Sequence, residues 1–339
     1  MVKLAPEILS KYVLSKFVSN DPNVLIGAEV GEDAAVVKTS DDVVVIHPDP
    51  ISGAVKFLGY LAIKIPANDV AVSGAYPKYF TTVLLLPEKT SVDELNVITS
   101  SMKEALEELK ASLVGGHTEY TDSVSRPIAI TTAFGFTKRG KVITSKGAKE
   151  DDVVIMTKSA GIEGTAVIAS DFRELLKARG IDDETIEEGV KMIKHVSVVE
   201  EATILSDLGV VTSMHDPTEG GVLCGLAEVA YASKTSLIIH LDKIKIHPTT
   251  LKLSSVLGVN PLKMLSSGAL IATVPKSYVD LALDTLSRKG IDAYVIGEVV
   301  KGGSDRPLVT LMSGGKFKEA LWEPHVEDEV IKLWERMTT

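Results

Sequence analysis

Five short segments of this 339-residue sequence combine glycine with acidic, amide or imidazole side chains at points where a strand or helix pattern gives way to a loop. In Gly31-Glu32-Asp33-Ala34-Ala35 a flexible residue precedes carboxylates and small side chains, so a ligand can approach the backbone and Asp33 can hold a metal. An acidic turn before a strand reads the same way. In His47-Pro48-Asp49-Pro50, Asp49 is either a turn former between prolines or a further cation ligand. Asn68 and Asp69 stand in an otherwise apolar, small-residue stretch, Ile65 to Ala75. A helix N-cap after Pro66 accounts for Asn68, whereas burying Asp69 without a cation or donors would cost several kcal/mol.

The fourth segment, Gly115-Gly116-His117-Thr118-Glu119, reads as a loop. It can offer backbone N–H groups to phosphate, a hydroxyl or carboxylate to Mg, and His117 or Glu119 for proton transfer. A glycine turn with solvated polar residues is the alternative. The fifth, His215-Asp216-Pro217-Thr218-Glu219-Gly220-Gly221, leads into a helical run. Gly220 and Gly221 before a helix start make an anion site, and Asp216 beside them can complete a metal site; a plain capped helix start fits as well. Neither a GxxxxGK[ST] loop nor a GxGxxG fingerprint after a strand is present. Asp33, Asp49, Asp69, Glu119 and Asp216 are nonetheless the kind of set that two-metal polyphosphate chemistry uses.

The elements that must carry these residues follow two periods. Val43 to His47, Phe80 to Leu86 and Ile128 to Phe136 read as strands. Val92 to Leu109 reads as a helix, with Leu95, Ile98, Met102, Ala105, Leu106 and Leu109 on one face behind a Ser91-x-x-Glu94 capping box. Near residues 138–152 the chain turns charged and Gly-containing before a new apolar strand, Val153 to Thr157. The expected division is therefore residues 1–148 and 149–339. Helices near 185–207 and 278–289 and strands near 236–240, 269–274 and 293–299 fill the second part.

Composition narrows the partners. With 36 Lys plus Arg against 46 Asp plus Glu, the formal charge of -10 disfavours nucleic acid and anionic membrane surfaces. A polyphosphate ligand would then need divalent cations between its charges and the carboxylates. A single cysteine, Cys224, excludes an internal disulfide and a thiolate zinc cluster and suits a cytoplasmic setting; in its small-residue helical run it reads as a buried structural thiol. No apolar run reaches about 18 residues, so no membrane span is expected.

In their order, the five segments resemble the PurM-like superfamily, which includes aminoimidazole-ribonucleotide (AIR) synthetase, selenophosphate synthetase, thiamine-phosphate kinase and HypE. Supporting stretches are Asp152 to Thr157 with Gly161-Ile-Glu-Gly-Thr165, Ser266-Ser-Gly-Ala-Leu270 and Ile296-Gly-Glu-Val299. GGHTE and HDPTEGG look most like segments of HypE, although Glu219 stands where that family usually carries Arg. The resemblance implies an α/β (α+β) chain of two domains: an N-terminal mixed sheet with helices that forms a barrel in a homodimer, and a C-terminal αβ domain. It also implies ATP with Mg. Asp33, Asp49, Asp69 and Asp216 match the Mg–phosphate carboxylates; Asn68, Gly31, Gly220, Gly221 and the loop from Gly115 through Thr118 to Glu119 match nucleotide-proximal positions. The substrate expected is a small molecule or a maturation partner protein, with an oxygen, amide or phosphate acceptor. HypE ends in a cysteine that carries the group it modifies, whereas this sequence ends Leu333-Trp-Glu-Arg-Met-Thr-Thr339. Self-modification is thus not expected, and a non-catalytic, nucleotide-binding scaffold is the alternative reading.

Overall fold

The computed structural model describes residue 10, residues 21–27, 29, 32, 34–40 and 42–338. Gly31 and Asp33 lie outside the described residues. The first sheet is built from β1 (Val24–Ile26), β2 (Ala35–Lys38), β3 (Asp42–Ile51), β4 (Tyr76–Pro87), β5 (Ser112–Thr121) and β6 (Ile128–Lys138), in the order β1-β2-β3-β6-β4-β5. Among the described residues only the β4/β5 pair of this sheet is parallel, and helix α2 (Val92–Glu108) makes that crossover. The capping box forms as its residues require: the Glu94 N–H donates to Ser91 Oγ at 3.2 Å and the Ser91 N–H to the Glu94 carboxylate at 2.7 Å. Ile98, Met102 and Ala105 face the core.

Helix α1 (Leu58–Val72) is buried along its whole length. It packs on the first sheet and α2 on one side and on elements of the second domain on the other. That placement explains its lack of a polar stripe. It crosses α2 so closely that a Cβ on Gly59 would lie 2.0 Å from the Ile98 carbonyl oxygen. Gly59→Ala is expected to cost about 3 kcal/mol by forcing these helices apart. A thermal melt should show a midpoint lowered by several degrees, and an unchanged midpoint would rule out the tight crossing.

The second sheet takes β7 (Asp152–Thr157), β8 (Ser213–His215), β9 (Ser236–His240), β10 (Ile271–Pro275), β11 (Ala293–Val300), β12 (Val309–Ser313) and β13 (Lys316–Leu321), ordered β13-β12-β9-β11-β7-β10-β8. Around it lie α3 (Ile162–Asp171), α4 (Arg173–Ala178), α5 (Asp183–Lys191), α6 (Val199–Leu208), α7 (Gly221–Ser233), α8 (Pro248–Leu257), α9 (Val279–Ser287) and α10 (Glu329–Thr338). The helical segment expected near 185–207 is broken into α5 and α6 by a turn at residues 196–198. That turn is where the first domain takes hold of the second. Asn68 of α1 donates its amide N–H to the Val196 carbonyl and accepts from the Val198 N–H, both at 2.9 Å.

Candidate functional site

Polar groups in α1 must find partners, because the helix is enclosed. Lys64 is 3% exposed and pairs with Glu108 of α2 at 2.7 Å. Asn68 is spent on the interdomain turn, so its influence on a bound nucleotide would pass through the 196–198 backbone. Asp69 sits with its carboxylate 3.4 Å from His47 Nε2. His47 and Asp49 are two residues apart on β3 and so share its helix-covered face. The sheet thereby brings Asp49 beside the Asp69–His47 pair, and Asp49 lies in a strand rather than a turn.

Across the seam the second domain contributes carboxylates of its own. Glu163, in the first turn of α3, is 7% exposed. Its carboxyl is pushed up to about 8 by burial and by the negative charges of Glu219, Asp328 and Asp49. Asp328 is pushed up to about 6, again by burial first, with Glu219 adding to it and three backbone N–H groups opposing. Those N–H groups belong to Gly220 at 2.9 Å, Val330 at 2.7 Å and Ile331 at 3.2 Å. One side chain thus caps α10 and also holds the start of α7. Asp216, 2% exposed, follows β8, which packs against α1.

The expected phosphate donors are engaged internally. The Gly220 N–H donates to Asp328 and the Gly221 N–H to the Thr218 carbonyl at 3.1 Å. An anion does occupy the helix start, but the chain supplies it. The segment 115–119, read above as a loop, is a continuous part of edge strand β5. Its glycines serve the sheet: β5 bulges at Val114, and a Cβ on Gly116 would lie 2.2 Å from the Thr82 carbonyl oxygen. Register sets Asp49, Thr131, Thr82 and Gly116 in one row across four strands. At about 4.8 Å per strand, Gly116 is about 14 Å from Asp49. His117 and Glu119, 3.0 Å apart at Nε2 and Oε2, register with Val83 and Leu85 on the opposite, open face, while Thr118 between them registers with Leu84 on the helix-covered side. Within one chain these residues and the acidic seam do not meet.

Sequence reasoning missed Glu163 and Asp328 and noted Glu219 only as a departure. Glu163 carried the same signal as Asp69, a lone carboxylate in an apolar, small-residue run. Among the described residues no three carboxylate, imidazole or thiol groups converge closely enough to hold a metal by themselves. The donor chemistry still suits Mg, which is commonly held by one or two carboxylates plus phosphate oxygens. A cation would also relieve the repulsion that raises Glu163.

Residues 31–137 match the AIR synthase related protein N-terminal domain, and residues 149–309 its C-terminal domain. The chain belongs to the AIR synthase-related, PurM-like superfamily. A protein of Methanocaldococcus jannaschii named for hydrogenase expression and formation is 29% identical over 309 residues, 88% of each chain. Carbamoyl dehydratase HypE of Rhizobium leguminosarum is 28% identical over 269 residues, 78% of this chain and 74% of that one. A crystal structure of HypE in complex with ATP superposes with a TM-score of 0.70 at 21% identity, covering 93% of this chain and 94% of that chain. At that identity the likeness is one of fold.

Proposed function

We propose that the chain binds ATP with Mg at the seam between its domains and uses it to activate or phosphorylate an oxygen or amide acceptor on a small molecule or a partner protein. The observation that carries this reading is the gathering of Asp49 from the first domain with Glu163, Glu219 and Asp328 from the second, next to the helix start at Gly220. Asp49 and Asp69, with Asp216 at the end of β8, would hold the ion; bound Mg offsets the charge of a triphosphate. Asp328 would give up the Gly220 N–H to a phosphate oxygen, and Glu163, protonated near neutrality, can donate rather than repel. His117 and Glu119 would orient the acceptor or take its proton only if a second chain brings an edge strand to the seam. Isothermal titration with a non-hydrolysable ATP analogue should show micromolar binding with Mg and none without it. Absence of binding in both conditions would sink the reading.

The open face of the first sheet supports a homodimer. Tyr79, Ile130 and Phe136 are 38%, 37% and 48% exposed there. Sedimentation should report a dimer that Phe136→Glu converts to monomer; a wild-type monomer would refute it.

A scaffold role without turnover is the second reading. It is favoured by the docked C-terminal helix: Trp334 donates to Asp171 at 3.1 Å and lies against Gly53, spanning both domains beside the seam. ATP turnover that appears only with an added acceptor would exclude it.

A further inference from the structure

A second cavity, of about 620 Å3, opens between the two domains, and none of Asp49, Asp69, Glu163, Glu219 or Asp328 lines it. Its size is that of a small-molecule pocket. In a protein of formal charge -10, its lining carries five lysines against three glutamates. Three of the lysines are answered within or beside the wall: Lys64 by Glu108, Lys158 by Glu201 at 2.8 Å, and Lys194 by Glu104 and by Glu108 at 3.3 Å. The other two are not. Lys110 and Lys289 make no ion pair or side-chain hydrogen bond among the described residues, and both are exposed. They come from opposite domains, Lys110 from the end of α2 and Lys289 from the end of α9.

Two unanswered ammonium groups facing one cavity ask for an anion that carries more than one charge. A phosphate group near neutral pH does so, while a single carboxylate does not. Ser197 in the same wall, whose hydroxyl accepts from the Val199 N–H and keeps its own proton, can donate to one of the phosphate's remaining oxygens. The volume left over admits an organic body. We infer that this cavity binds a phosphate-bearing small molecule, bridging the domains through Lys110 and Lys289. Such a ligand would bear on how the domains sit, since the cavity wall includes Ser197, in the turn that Asn68 clamps.

Inorganic pyrophosphate is the probe, titrated calorimetrically into the full chain in Mg-free buffer. Wild type should bind it at one site, and Lys110→Ala/Lys289→Ala should weaken that binding at least tenfold. Both positions are exposed, so the variant should melt like wild type. Asp69→Asn should leave pyrophosphate binding intact, which separates this site from the nucleotide reading: either can fail alone. No binding to wild type, equal binding to the double variant, or tighter binding of citrate than of pyrophosphate would overturn the inference.

Discussion

Asp69→Asn should weaken Mg-dependent binding of an ATP analogue tenfold to about a hundredfold, the loss that follows when a metal site's carboxylate support is removed. Asp69 is 9% exposed inside α1 and faces His47 at 3.4 Å. A carboxylate so enclosed is tolerated when something positive answers it, and a histidine that is charged only when protonated answers it in part. Asparagine keeps the volume and can still accept a hydrogen bond from the imidazole, while removing the charge that Mg would share. The melting midpoint should therefore stay within a few degrees of wild type while titration loses its Mg dependence. Binding that survives the substitution unchanged would remove Asp69 from the metal site and leave Asp49 and Asp216 to hold it.

The second large effect concerns pH. Glu163 titrates near 8 in the folded chain against 4.5 when unperturbed, raised by burial and by the carboxylates around it. Below pH 4.5 both folded and unfolded states carry the proton, and nothing is lost. Between 4.5 and 8 the unfolded chain releases it and the folded chain keeps it, so stability falls as pH rises. Above pH 8 the full cost, on the order of 3–5 kcal/mol, applies. Glu163→Gln removes this dependence. Its melting midpoint should exceed that of wild type by about 5 °C at pH 8.5, and the two should converge below pH 5. Asp328, raised to about 6, leaves a smaller trend of the same sign in both proteins. Superimposable pH profiles for the two proteins would show that the Glu163 carboxyl is not held protonated.

Local signals were legible where the physics is local. The Ser91–Glu94 box and the apolar spacing of Ile98, Met102 and Ala105 specify α2 without reference to the rest of the chain. β9 runs from Ser236 to His240, as its apolar run implies. The pair Gly115-Gly116 misled because glycine has two uses: it frees a loop, and it lets strands approach where a Cβ would strike the neighbouring backbone. Only the 2.2 Å approach to Thr82 tells which applies. Asn68 read as a helix N-cap after Pro66, but both residues lie inside α1, which starts at Leu58, and the Asn68 amide is spent on the backbone at 196 and 198, almost 130 residues on.

From the sequence alone came the alternation of strands and helices, the two-domain α/β character, the acidic balance and the positions at which buried carboxylates would need explaining. These rest on composition, on short-range periodicity and on the cost of burying charge, none of which requires knowing what lies across the core. Tertiary structure decided which carboxylates meet. It put Asp49, Glu219 and Asp328 within electrostatic reach of Glu163, gave the Gly220 N–H to Asp328, and left His117 and Glu119 on the far face of the sheet. Those outcomes depend on strand order, register and the seating of one domain on the other, and electrostatic coupling falls with distance through space, regardless of separation along the chain.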